Sequence, residues 1–252
     1  MLVHVIPCLS DNYAYLVVNE SSGAAVVVDP SEEGPVRRAL EVLGVELVGV
    51  LATHHHWDHV GGVEALLAWR PSLEVWAHAS DRGRVPGQTG EVAHGESISL
   101  GGMDFRALHV PGHTLGAVTW LSEGNAFTGD TLFLAGCGRL FEGSAEMMAA
   151  SLNDVLGALP DETLIHPGHE YTEKNLRFAA SLLPGDDAVA ARLASVRALR
   201  AEGRPSVPAP LGVERETNPF LRCGDPSLRA ALGSADDRAA TFAAARARRD
   251  VF

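Results

Sequence analysis

Four imidazoles and one carboxylate fall within six consecutive positions, His54-His55-His56-Trp57-Asp58-His59, and Val60-Gly61-Gly62 follows. Imidazole nitrogen mixed with carboxylate oxygen suits zinc, iron or manganese, whereas calcium takes oxygen ligands alone. One tetrahedral ion cannot use so many donors, and neighbours such as Asp58 and His59 point in different directions. The spacing therefore predicts two adjacent ions, with His54 and His56 serving one and Asp58 and His59 the other. The plainer alternative is a surface histidine tract that binds metal adventitiously. An adventitious tract would predict no matching donors elsewhere in the chain.

Matching donors are present. His113 lies in Val110-Pro111-Gly112-His113-Thr114, Asp130 in Phe127-Thr128-Gly129-Asp130-Thr131, and His169 in His166-Pro167-Gly168-His169-Glu170. Each follows an apolar stretch and a Gly or Pro, the pattern of a ligand at a strand's end. His-x-His-x-Asp-His followed by these spaced residues resembles the metallo-β-lactamase-fold hydrolases, with every usual ligand position filled. Asp11-Asn12-Tyr13, the stretch Gly136-Cys137-Gly138-Arg139-Leu140-Phe141-Glu142-Gly143, and Gly168-His169-Glu170-Tyr171-Thr172 narrow the resemblance to the glyoxalase II (hydroxyacylglutathione hydrolase) family.

The resemblance implies an α+β fold: an αββα sandwich at residues 1–170 that binds metal and catalyses, then a small all-helical substrate-binding domain at 171–252. It places His54, His56 and His113 on one ion, Asp58, His59 and His169 on the other, and Asp130 as the bridge. Two divalent ions are expected, zinc first, with iron or manganese as alternatives. A water between them loses a proton near neutral pH, since one zinc already brings its bound water to a pKa of about 7. That metal-bound hydroxide is the expected nucleophile, and the resemblance implies Asp58 and Asp130 as the catalytic carboxylates that hold the ions. The implied reaction is hydrolysis of S-lactoylglutathione and related thioesters to D-lactate and glutathione, the second step of methylglyoxal detoxification. A thiol with a pKa of about 8.5 leaves with little proton donation, so no Ser-His or Cys-His dyad is needed. Glutathione carries two carboxylates, and the resemblance points to Arg139, Phe141, Tyr171, Arg246 and Arg249 as its contacts. Phe141 stands where many relatives have Tyr, removing one hydroxyl. Arg246 and Arg249 share a helix face at i,i+3. Cys137 reads as structural, and Asp29 as either a support for a metal-bearing loop or a turn carboxylate. His55, His4, His78, His94, His109 and His166 are not expected to be ligands.

The elements that position these residues follow from periodicity and punctuation. Residues 2–7, 13–18 and 24–28 are Val-, Ile- and Tyr-rich and read as a strand meander. Residues 32–43 have helical spacing ended by Gly44, and the apolar run 47–52 reads as a buried strand feeding the histidine loop. A helix at 62–69 stops before Pro71. Strands are expected at 73–77, 97–100, 104–109, 117–121, 125–128 and 163–165. A helix capped by Ser144 is expected over 144–159. Beyond 172, helical windows fall at 172–183, 187–202 and 236–249, while 203–226 carries five of the chain's 14 prolines and reads as loop.

A chain of 252 residues with 46% hydrophobic content and mean hydropathy +0.05 can bury a sizeable core, and no apolar run reaches the ~18 residues of a membrane helix. The start carries no basic region or cleavage signal, and three widely spaced cysteines argue against a disulfide framework, so a cytoplasmic enzyme is expected. Residues 1–170 hold 7 basic against 22 acidic side chains, residues 171–252 hold 13 against 10. An acidic first part suits bound cations, a basic tail suits an anionic ligand, and the overall acidity argues against nucleic acid. A small-molecule substrate, no membrane and a monomer are expected. The rival readings are a persulfide dioxygenase of the same fold, a β-lactamase, a tRNA-processing nuclease, and a non-catalytic metal-binding module.

Overall fold

The computed structural model describes residues 1–234 and 237–252. The chain divides into two compact units, one of Met1–His109 with Gly116–Gly129, the other of Val110–Leu115 with Asp130–Phe252.

The first unit begins with the expected meander. Strands β1 (Leu2–Cys8), β2 (Asn12–Val18) and β3 (Ala24–Val28) pair antiparallel, Val5 opposite Tyr15 and Val17 opposite Val26. From β3 the sheet turns parallel through β4 (Glu46–Leu51), β5 (Glu74–His78) and β6 (Gly90–Val92). Parallel neighbours need crossovers, and helix α1 (Glu33–Leu43) supplies the first. Gly44 ends it at φ 65°, its N–H returning to the Leu40 carbonyl. The short α2 (Trp57–Val60) and α3 (Val63–Trp69) supply the second crossover. A second sheet runs in the order β10 (Asn125–Gly129), β9 (Val118–Ser122), β8 (Met103–His109), β7 (Ser97–Leu100), all antiparallel.

β2 shows why these strands are layered. Ala14, Leu16 and Val18 face the helices, in one cluster with Val36 and Leu40 of α1 and Val63 and Leu66 of α3. Tyr13, Tyr15 and Val17 on its other face are also buried, and the Tyr15 ring meets Phe127 of the second sheet at 5.5 Å. A strand buried on both faces lies between two layers. Each fully buried Leu or Val side chain contributes about 1.5–3 kcal/mol, so the two sheets and the helices on the first stand or fall together. Trp120, fully buried in β9, spans the layers and donates Nε1–H to the Ala52 carbonyl at 3.0 Å, directly before the histidine loop.

The second unit opens with a hairpin of β11 (Leu132–Phe133) and β12 (Gly136–Cys137), which periodicity did not foresee. Ser144 caps α4 (Ala145–Ala150) through the Met147 N–H as expected, but the 144–159 stretch is not one α-helix. It widens to π pitch over Ser151–Val155 and tightens to 3-10 over Leu156–Ala158. β13 (Leu164–Pro167) pairs antiparallel with β14 (Ala209–Pro210). Among the described residues five helices complete the unit: α5 (Thr172–Leu182), α6 (Asp187–Ala201), α7 (Leu211–Thr217), α8 (Pro226–Leu232) and α9 (Arg238–Asp250). The expected loop at 203–226 therefore holds a strand and a helix: two of its five prolines stand at helix starts, Pro210 preceding α7 and Pro226 opening α8, as proline does at a helix's first turn. Asp186, Asp225 and Asp237 cap α6, α8 and α9 with their carboxylates, each worth about 1 kcal/mol. The start of the expected 236–249 window, Asp236, lies outside the described residues.

Candidate metal centre

β4 delivers residues 53–59 as a loop and one helical turn. That loop is pinned where Gly61 and Gly62 pass the Pro30–Glu32 backbone: a Cβ on Gly62 would lie 2.7 Å from the Pro30 carbonyl oxygen, one on Gly61 2.9 Å from that of Ser31. Only glycine fits that approach.

Behind the loop stands Asp29, 2% exposed and at φ 50°, a left-handed conformation that aspartate tolerates better than most residues. Its Oδ1 accepts the Thr53 N–H at 2.7 Å, and its Oδ2 accepts the Thr53 hydroxyl at 2.6 Å and pairs with His59 Nδ1 at 2.9 Å. Thr53 Oγ1 in turn meets His54 Nδ1 at 3.0 Å. The Nδ1 atoms of His54 and His59 are thus held from behind, which fixes the tautomer and directs Nε2 forward. In front, His54 Nε2 lies 3.1 Å from His56 Nδ1, and His59 Nε2 lies 3.7 Å from Asp58 Oδ2. Two donors on one tetrahedral ion at about 2.0–2.1 Å lie about 3.3 Å apart. Within the first unit these distances place His54 beside His56 and Asp58 beside His59. Asp29 also lies within 4.8 Å reach of His54 and His59, but its oxygens already serve Thr53 and His59, so we read it as the support rather than a ligand. Asn12, to which the sequence pattern assigns no role, donates from Nδ2 to the Asp58 carbonyl at 3.0 Å and to Oδ2 at 3.1 Å. His55 turns elsewhere, its Nδ1 3.2 Å from buried Asp81 Oδ1 and its Nε2 on Arg84.

The second unit holds the other three predicted ligands. Asp130 Oδ2 lies 3.6 Å from His113 Nε2 and 3.4 Å from His169 Nε2, so one carboxylate oxygen sits between two imidazoles at ligand spacing. His113 donates Nδ1–H to the Arg139 carbonyl at 2.8 Å, again directing Nε2 forward. Its loop is tied down by Ser151, whose hydroxyl donates to the Pro111 carbonyl at 2.7 Å from the π-pitched turn. His169 stacks on Tyr171, rings 4.7 Å apart at 5°, and meets Phe133 edge-on. The chemistry and spacing of these donors fit two divalent ions.

The expected substrate contacts divide. Arg139 has an exposed side chain, and Phe141, 63% exposed, stands edge-on to His113 at 5.2 Å. Tyr171 is half-buried at the start of α5. Arg249 is half-buried, with Nε and Nη2 3.3 and 3.1 Å from Asn175 Oδ1. Arg246 is 5% exposed, with donors on the Cys137 carbonyl and the Asp250 carboxylate. Cys137 is buried and its thiol is pushed up to about 11 by desolvation, so it stays protonated and non-nucleophilic. Burial likewise pushes His166 down to about 3 and keeps it neutral.

Residues 10–169 match the family described as the metallo-beta-lactamase superfamily, and residues 170–252 match that described as hydroxyacylglutathione hydrolase C-terminus. A hydroxyacylglutathione hydrolase of Synechococcus sp. (strain JA-3-3Ab) is 47% identical over 254 residues, covering 100% of both chains. Among solved structures, ETHE1 from Myxococcus xanthus superposes with a TM-score of 0.68 at 26% identity, covering 100% of this chain and 99% of that one. TTHA1623, solved in a di-iron-bound form, gives 0.61 at 26% identity over 88% of this chain and 100% of its own. The fold is the metallo-β-lactamase fold followed by a helical domain, and its His/Asp cluster implies divalent metal.

Proposed function

The chain belongs to the hydroxyacylglutathione hydrolase family of the metallo-β-lactamase superfamily, and on that premise we propose that it hydrolyses S-lactoylglutathione and related acylglutathione thioesters to the hydroxy acid, D-lactate in the first case, and glutathione. The observation that carries this reading is the Asp130 carboxylate between His113 and His169, which suits a bridge between two ions. In the proposed centre His54, His56 and His113 hold one ion and Asp58, His59 and His169 the other, with zinc first among the candidates. When bound, the ions supply a hydroxide nucleophile at neutral pH and a Lewis acid for the carbonyl oxygen.

The chain's own groups do the positioning. Asp29 and Thr53 hold the imidazoles of His54 and His59, the Arg139 carbonyl holds His113, and Asn12 holds Asp58. The thiolate leaving group needs no dedicated acid, and buried Cys137 is given no part in the reaction. For the peptide, Arg139, Arg246 and Arg249 are the cations we assign to the carboxylates. Tyr171 contributes a hydroxyl, and Phe141 a ring face without one. We assign catalysis to residues 1–170 and substrate binding to 171–252, in a cytoplasmic monomer without nucleic-acid or membrane partners. Among the described residues no helix is long and apolar enough to cross a membrane.

Hydroxide attack on a thioester consumes neither oxygen nor reductant. Under strict anaerobiosis the zinc-loaded protein should release free thiol from S-lactoylglutathione at its aerobic rate. Oxygen uptake with glutathione persulfide, in place of thioester turnover, would hand the chain to the dioxygenase reading.

A further inference from the structure

The turn Gly168-His169-Glu170-Tyr171-Thr172 carries a proposed ligand and a proposed substrate contact, and Glu170 stands between them in the chain. The His169 and Tyr171 rings keep together: they stack at 4.7 Å and 5°, and both stand edge-on to Phe133, at 5.8 and 5.3 Å. The Glu170 side chain, 8% exposed, runs to the segment between α6 and β14. Its Oε2 accepts the Ser206 N–H at 2.8 Å, and its Oε1 accepts the Ser206 hydroxyl at 2.6 Å. Arg200, in the last turn of α6, brings Nη1 to 3.5 Å from Oε2 and donates to the Arg204 carbonyl at 2.6 Å. Thr172, buried at the start of α5, has its Oγ1 2.6 Å from Ser206 Oγ.

A largely buried carboxylate is costly unless its oxygens are met. Here both oxygens are taken by one residue, a two-point contact that fixes direction as well as distance. Residue 170 therefore has one placement, and so do its neighbours on either side. His169 Nε2, 3.4 Å from Asp130 Oδ2, depends on that placement, and the stacked Tyr171 ring depends on it equally. Ser206 lies 36 positions from Glu170 in the chain, so it can be altered without touching the turn itself.

We propose that Glu170 is a positioning residue: clamped on Ser206 and Arg200, it locks the turn that directs His169 to the metal centre and Tyr171 to the substrate. One contact with the segment after α6 thus sets metal binding and substrate binding together. This rests on the two-ion reading above.

Ser206→Ala, Glu170→Gln and Glu170→Ala would be checked for fold by circular dichroism. Glu173→Ala is the control: it removes the neighbouring exposed pair of α5 with Arg197 of α6 and leaves the turn alone. Each protein would be titrated with zinc against a chromophoric chelator without substrate, then assayed on S-lactoylglutathione in excess zinc. Ser206→Ala should bind zinc about 10–100-fold more weakly, as when a group behind a ligand is lost. Its KM should rise about 2–10-fold, the size of one neutral hydrogen bond to substrate. Glu170→Gln, which keeps one acceptor oxygen, should fall between wild type and Glu170→Ala. The double variant of Ser206→Ala with Glu170→Gln should lose less than the two single losses combined, as partners in one contact do. If Glu170→Ala fails to fold, the other two variants decide. Wild-type zinc affinity and kinetics in Ser206→Ala would overturn the proposal, and so would a loss confined to zinc or to KM alone. Equal losses in Glu173→Ala would overturn it too, by tracing the effect to helix packing. Wild type failing to hold two zinc ions would instead bring down the two-ion reading, and this proposal with it.

Discussion

Asp130→Asn should deplete both ion sites together and abolish most of the activity while leaving the fold intact. Two divalent ions about 3.5–4 Å apart repel by roughly 17 kcal/mol even at an effective dielectric of 20, the charge product being four, and shared and terminal anionic ligands offset part of that cost. Asp130 Oδ2, 3.6 Å from His113 Nε2 and 3.4 Å from His169 Nε2, is placed for this sharing. Asparagine keeps the size and one oxygen but loses the charge and the second ligand oxygen. Losing a partner behind a ligand costs about 10–100-fold in affinity, so losing the bridge itself should cost at least roughly 100-fold. Metal content after gel filtration, read beside circular dichroism, checks this. A variant that keeps one ion tightly and loses only the other would show that Asp130 serves a single site.

Asp29→Ala should be the most damaging change outside the ligands. The carboxylate is buried and takes three contacts, from the Thr53 N–H, the Thr53 hydroxyl and His59 Nδ1. Bonds to a charged acceptor are worth about 1.5–3 kcal/mol each, and a buried N–H left unmet costs about 1–3 kcal/mol. Allowing for non-additivity within one network, we expect roughly 3–5 kcal/mol of stability lost and a weaker grip on zinc by about 10–100-fold. Asp29→Asn should fall between, because an amide oxygen can still accept from Thr53. Thermal melts and chelator competition measure the two losses. Unaltered zinc affinity in either variant would reduce Asp29 to a turn residue.

How much of this was legible in the sequence depends on where each interaction partner sits. The histidine loop was readable because its donors are clustered, and because β4 and β10 announce themselves by apolar runs that end at ligands. Most strands of the first unit followed from alternation or unbroken Val runs, which reflect burial on one or both faces. The β11–β12 hairpin was not readable: four of its six residues are Leu, Phe, Leu and Ala, and its shape is imposed by Asn175, Glu214 and Asn218, 40 or more positions away. Residues 203–226 were misread because proline density signals loop, while Pro210 and Pro226 stand at helix starts. The 144–159 helix has the periodicity of one α-helix; its π-pitched turn accompanies a bond from Ser151 to Pro111, 40 positions earlier. Arg246 shows the same limit. The sequence shows only a helix-end arginine with an i,i+3 partner, and the packing of α9 is what reveals that it is buried. Asp29 needed geometry too, since an Asp-Pro pair after a strand is equally a turn.

The central claim is that two ions acting together make this chain a thioester hydrolase. Zinc titration of the metal-stripped protein, with S-lactoylglutathione turnover recorded at each addition, tests it most directly. Activity should rise to its maximum at two zinc ions per chain, and stay near zero when Asp130→Asn is carried through the same titration. Full activity at one ion per chain, or a maximum that Asp130→Asn also reaches, would contradict it.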